Sequence, residues 1–201
     1  MFAEASQAGG LWNTVPPFGR CVIESLTHAK LPAFEIIQVA MPRYFLGLSL
    51  ETDEKQQFKD GQKLAKDFAD ARDGIRRLAY PYVSVTITGK KGPEGKFTYF
   101  TGEEVEPKAK APGLAAMVLP AGTYGCITVK RNPTWLLGMR LAQARKHFYQ
   151  VYLPASGYEL GDAFEEAELW EQAEESKPRP SQSVRLLVSV VRLCSEERGF
   201  R

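Results

Sequence analysis

The chain has 201 residues, which fits one large domain or two fused modules. Hydrophobic residues make up 44% and charged residues 25%, enough apolar matter for a core and a composition unlike that of a disordered chain. A net charge of +2 gives no electrostatic reason to expect direct nucleic-acid binding, and no apolar run approaches the roughly 18 residues of a membrane span.

Residues 1–33 read as an extension packed on the domain. Gly9-Gly10 and Pro16-Pro17 break regular structure there. The first residues carry Glu4 and lack the basic start and apolar stretch of a signal peptide. The segment is too short for a helix-turn-helix domain. Cys21, Cys126 and Cys194 are odd in number and far apart, with no CxxC spacing. They imply reduced, structural thiols and a cytoplasmic protein.

Phe34 to Val39 and Tyr44 to Leu50 are strand-like runs on either side of a break at Pro42. Residues 54–79 have helical period, with Phe58, Leu64, Phe68, Ile75 and Leu78 on one face, and Pro81 is expected to end that helix. Tyr82 to Thr88 alternates as a strand. The turn cluster Gly89–Gly95 should return the chain as a hairpin strand from Phe97 to Val105. Leu114 to Leu119 and Tyr124 to Lys130 repeat the broken first strand around Pro120. Asn132-Pro133-Thr134 opens a second helix, expected to stop before Pro154. Phe164 to Gln172 is a strand or short helix carrying many acids. Glu174 to Gln182 is a loop, and Ser183 to Leu193 is a central strand.

The order of elements is therefore duplicated. Pro42 and Pro120 stand 78 residues apart, as do Gly47 and Gly125. Two modules, about 34–106 and 113–193, are expected to pack side by side and leave a cleft on a pseudo-twofold axis. Residues 194–201 form a tail.

The run Leu119-Pro120-Ala121-Gly122-Thr123-Tyr124, the stretch Leu153-Pro154-Ala155-Ser156-Gly157-Tyr158-Glu159-Leu160 and the pair Phe164-Glu165 resemble the GyrI-like domain, also called the effector-binding domain of AraC- and MerR-type regulators. Tyr99-Phe100-Thr101-Gly102-Glu103-Glu104-Val105 agrees with its hairpin strand. The resemblance covers about residues 34–193. It implies an α+β fold of tandem strand-helix-strand-strand modules, with a curved antiparallel sheet, two helices on one face and a small-molecule cavity between them. Members of that family bind amphipathic or cationic compounds, in some cases against a buried acid ringed by aromatics. With no DNA-binding domain evident, the chain resembles the stand-alone kind, which includes gyrase-binding proteins and a branch that hydrolyses cyclopropane-bearing genotoxins.

The family's acid maps onto Glu165. Strand alternation sets Glu165 with Ala167 and Leu169 on one face, and Glu166 with Glu168 on the other as the expected solvated pair. Glu104, in the hairpin strand, is the second candidate acid. Tyr82, Tyr99, Tyr124, Trp135, Tyr149, Tyr152 and Trp170 are candidate cavity walls, because aromatic rings attract a cation and stack on flat compounds. His28 and His147 lack neighbours at metal spacing, Ser156 lacks a nucleophile context, and no phosphate loop or other cofactor motif is present. The leading expectation is a small-molecule-binding protein that needs no cofactor and holds an amphipathic, cationic or aromatic compound. The alternatives are a hydrolase of reactive electrophiles using Glu165 and Glu104, and a module that binds another protein.

Overall fold

The computed structural model describes residues 34–78, 82–130, 136–171 and 183–193. In chain order these form β1 (Glu35–Val39), β2 (Arg43–Asp53), α1 (Gln57–Ala71), β3 (Val83–Thr88), β4 (Lys96–Val105), β5 (Ala115–Leu119), β6 (Gly122–Lys130), α2 (Leu137–His147), β7 (Tyr158–Leu160), β8 (Glu166–Glu171) and β9 (Ser183–Arg192). Eight strands lie in the order β1-β6-β9-β8-β3-β4-β2-β5, and β7 adds to β9. Every pairing is antiparallel.

This order forces the sheet to curl. β6 and β5 lie six places apart, a separation of about 29 Å in a flat sheet at ~4.8 Å per strand. Yet only Pro120 and Ala121 join them, and that link reaches at most about 11 Å from Leu119 to Gly122. β1 and β2 are likewise six places apart and joined by residues 40–42 alone. Both links close the same gap, so the sheet bends into a half-barrel. Tyr124 ties the closure by donating its hydroxyl to the Pro120 carbonyl at 2.7 Å.

The two faces of the sheet bury different clusters. The inner face carries one continuous core that includes Phe45, Val85, Phe100, Leu119, Tyr124, Phe164, Ala167 and Leu169. The outer face carries the helices over two separate cores. Leu46, Phe68, Ile75 and Val105 pack in the first half, and Ile127, Leu141, Phe148 and Leu186 in the second. β3 and β8 pair at the centre, Thr86 opposite Glu168, so the pseudo-twofold passes between them.

The helices depart from their sequence pattern at their ends. α1 closes at Ala71 with a 3-10 turn, Arg72–Gly74, and Ile75 is extended. Ile75 still reaches the core, and Leu78 donates its N–H to the Glu104 carbonyl at 2.9 Å. Strand-like pairing wins over helical period in that stretch, so the helix ends before Pro81, which lies outside the described residues. α2 changes to a π-helical turn over Phe148–Tyr152, within its expected span, and a short helical turn, Leu153–Ala155, carries it past the expected stop before Pro154. Pro154 lies just after the π-helical turn, where the regular α-helical ladder is already interrupted. Ser156 ends the helix by donating to the Leu153 carbonyl and accepting the Tyr158 N–H, and Gly157 takes φ of 73°. The expected helix start at 132–134 and the loop at 174–182 lie outside the described residues, as do the 1–33 extension and the 194–201 tail.

The duplication holds for the order of elements but not for the paired glycines. Gly47 shares the inner face with Phe45, whereas Gly125 faces the Phe148 ring on the helix side. The linkers differ by one residue, 40–42 against 120–121, and a one-residue shift exchanges the faces of a strand. Gly47 pairs with Gly102 where β2 and β4 curl tightly. A Cβ on Gly47 would stand 1.9 Å from the Thr101 carbonyl oxygen. Gly47→Ala should therefore cost more than about 3 kcal/mol, read as a lowered denaturation midpoint.

Candidate ligand-binding site

α1 and α2 each cover one half of the outer face, which leaves a gap above the central strands. A cavity of about 610 Å³ opens there. Its α1 side is built by Gln57, Phe58, Gly61, Gln62 and Ala65, preceded by Glu54. Arg145 enters from α2, Tyr99 from β4, and Glu166 and Glu168 from β8. Alternation along β8 makes this arrangement. Ala167 and Leu169 drop into the inner core, so Glu166 and Glu168 must face the helices.

The expectation for these acids is thus reversed. Glu166 and Glu168 were expected to be solvated, yet their side chains are only 12% and 16% exposed. The physical reason is that the apolar face of β8 meets a filled core rather than a cavity. Glu165 precedes β8, is half-buried, and donates its N–H to the Thr88 carbonyl at 3.0 Å. It does not line the cleft, although its charge reaches Tyr149 and Lys91.

Arg145 bridges the two acids. Its Nε donates to both oxygens of Glu166 at 2.7 and 2.8 Å, and its Nη2 donates to Glu168 at 2.5 Å. Burial works against the Arg145 charge, but both carboxylates overcome it and raise its pKa. Burial also pushes the Glu168 carboxyl above its ordinary value, with Glu166 adding to the rise and Arg145 opposing it. Two carboxylates against one guanidinium leave a net negative charge. Glu54 adds a further acid on the α1 side, held by Lys91 at 2.5 Å.

The aromatics divide. Tyr99 lines the cleft beneath α1, where a Cβ on Gly61 would come within 3.2 Å of its ring. Burial, then the Glu168 charge, lift the Tyr99 phenol to about 12, so it stays protonated at neutral pH. Tyr149 lies in the π-helical turn, edge-on to Phe148, and its buried hydroxyl has no hydrogen-bond partner among the described residues. Burial and the charges of Glu166 and Glu165 raise its pKa. Tyr124 belongs to the inner core, stacked on Phe164 at 5.8 Å. Tyr152 stacks on Phe34 at 4.7 Å, and Trp170 packs against the second-half core. Tyr82 lies under Arg77 at 4.7 Å. Trp135 lies outside the described residues.

Glu104 is on the inner face, gripped by Arg43 through two hydrogen bonds of 2.6 and 2.7 Å. The more deeply buried acid of that strand is its neighbour Glu103, which faces the helices and pairs with Arg72 at 2.6 Å. Cys126 is buried in the inner core, which pushes its thiol pKa up. Cys21, Cys194 and His28 lie outside the described residues. His147 stacks on Phe34 at 5.3 Å. Among the described residues no cluster of three or more His, Cys, Asp or Glu could hold a metal ion. No helix among them is long and apolar enough to cross a membrane.

Comparison with known proteins agrees with this geometry. Residues 32–189 match the family described as the GyrI-like small molecule binding domain. The chain belongs to that family. Its function is accordingly to bind a small molecule. Among solved structures, SAV2435 bound to tetraphenylphosphonium superposes with a TM-score of 0.55 at 8% identity, over 79% of this chain and 94% of that one. An integron cassette protein from the mobile metagenome of Vibrio cholerae superposes with a TM-score of 0.53 at 7% identity, over 80% and 97%. At such identities the likeness is one of fold. No curated protein sequence matches the chain.

Phe58, which helical period sets on one face with Leu64 and Phe68, is 79% exposed at the edge of the GyrI-like cleft, and Arg145 enters the site without a signal from its spacing. The signal for Phe58 is its place one turn from Glu54, Gly61 and Gln62, a face too polar to be packed. Replacing Arg145 by Met leaves two half-buried carboxylates facing each other. It should lower stability by about 2 kcal/mol at pH 7, a fall in Tm of about 4–8 °C. The loss should shrink on acidification, as protonation of Glu168 relieves the repulsion.

Proposed function

We propose that the cleft binds lipophilic organic cations, with Glu166 and Glu168 as counter-charge and Tyr99 and Phe58 as apolar walls. The observation that carries this is the excess negative charge of the Glu166–Arg145–Glu168 cluster, held where water is scarce. A charge buried this way is costly unless a partner balances it. An organic cation supplies that balance, and its apolar groups fill a cavity of the size usual for drug-like ligands. Aromatic walls add about 0.5–2 kcal/mol per good ring contact. A relative of the same fold holds tetraphenylphosphonium, which makes that cation a suitable first probe. We place this activity in the cytoplasm, supported by three cysteines without pairing spacing and by the free Cys126 thiol.

Glu168→Gln should weaken tetraphenylphosphonium binding about tenfold or more by calorimetry, the scale of one lost buried charge contact. The affinity of neutral triphenylphosphine oxide should stay within about threefold of wild type, since no charge is involved. Unchanged cation affinity in Glu168→Gln would remove the counter-charge role. The pH dependence has a definite sign. The Glu168 carboxyl is raised above the ordinary glutamate value of 4.5. Cation affinity should therefore be full when the pH is well above that raised pKa. It should fall on acidification earlier than an unperturbed glutamate would allow.

A further inference from the structure

We propose that Arg145 is a built-in competitor: it occupies the carboxylate pair in the empty protein, leaves when an organic cation binds, and so sets the threshold affinity of the cleft. The inference rests on the cleft being a cation site and concerns how that site is regulated.

Three observations converge. First, the guanidinium uses three of the four carboxylate oxygens, both of Glu166 and one of Glu168. A ligand cation seated on the same pair finds its acceptors already taken. Second, Arg145 is the single cationic side chain among the described residues that line the cleft. Third, Arg145 is more exposed than the acids it grips, 31% against 12% and 16%. Part of the Arg145 side chain is thus open to solvent, and it is a long chain with several rotatable bonds. Swinging it into water needs rotamer changes and no movement of α2, which stays anchored by Leu141, Ala144 and Phe148.

The exchange conserves charge in the cleft: one cation leaves the carboxylates as another arrives. Small hydrated cations gain nothing from it, because the guanidinium already makes the stronger forked contact. A cation with broad apolar surface has the additional favourable burial against Tyr99 and Phe58. Arg145 therefore selects for lipophilic over simple cations, without any wall residue touching the charge.

The test uses the full chain at pH 8, with tetraphenylphosphonium as the cation and triphenylphosphine oxide as the neutral control. Wild type, Arg145→Lys and Arg145→Met are compared by calorimetry. Competition predicts that Arg145→Met binds the cation about tenfold more tightly than wild type or better, with Arg145→Lys between them because a point charge replaces the fork. The neutral control should vary by less than about threefold across the three proteins. Equal or weaker cation binding by Arg145→Met, with wild type still binding, overturns the competitor while leaving the cation site intact. Absence of cation binding in both proteins overturns the competitor together with the cation site.

A measurement on wild type covers the case in which Arg145→Met does not fold. The Arg145 Nε–H, hydrogen-bonded to Glu166, should give a slowly exchanging nitrogen-15 signal in the empty protein. At saturation with tetraphenylphosphonium that signal should move to the position of a solvent-exposed arginine and exchange rapidly. A signal that stays slow and unshifted at saturation refutes displacement.

Discussion

A link of two residues, Pro120 and Ala121, joins strands that a flat sheet would hold far apart, and the rest of the structure follows from it. The closure it imposes, repeated at residues 40–42, curls eight strands until their inner faces meet. Phe45, Phe100, Tyr124 and Phe164 fill the inside as one core. Gly47 and Gly102 allow the bend where β2 and β4 would otherwise collide. Curling also spreads the outer face. Two helices of ordinary length cannot cover a convex surface of this width, so each covers its own half and the centre stays open. The cleft is thus a consequence of how the sheet closes, not an independent feature.

What fills the uncovered centre follows from strand alternation. The central strands must supply apolar side chains inward, and every second residue is then presented outward. On β8 those residues are Glu166, Glu168 and Trp170, the last packed against the second-half core, and on β3 they are Ser84, Thr86 and Thr88. A bare apolar strip would be poorly soluble there, and an unpaired carboxylate pair would repel itself. Arg145 resolves the second problem by bridging the two carboxylates. The arrangement is a compromise, since the cluster keeps an excess of negative charge and the Glu168 pKa stays raised despite its arginine. Sites of this kind are where perturbed ionisation and function coincide.

The architecture was legible in the sequence because it rests on local signals. Alternation marked the strands, prolines marked the breaks, and the repeated order of elements implied two modules and a cleft between them. The LPASGYEL stretch proved to be a helix-ending turn built by Ser156 and Gly157, which explains why it is recognisable. Alternation also separates the two faces of β8 from sequence, but it does not say which face meets a cavity: the curl packs the apolar face solid and leaves the polar face open. Ile75 and Leu78 kept helical spacing while sitting in extended chain, because tertiary pairing overrode the period. Arg145 could not be found from spacing, as its partners lie on another element more than twenty residues away. The equal spacing of Pro42 with Pro120 and Gly47 with Gly125 suggested matched positions, and a one-residue difference in the linkers undid the match.

The central claim is that ligand charge is met on the outer, polar face of the sheet between α1 and α2. A crystal structure with tetraphenylarsonium tests it directly, because the arsenic can be located by its anomalous scattering alone. The account predicts one arsenic site beside Glu166 and Glu168, with phenyl groups against Tyr99 and Phe58. Arsenic lodged instead in the inner core near Tyr124 and Phe164, or only on the outside of the molecule away from β8, would contradict it.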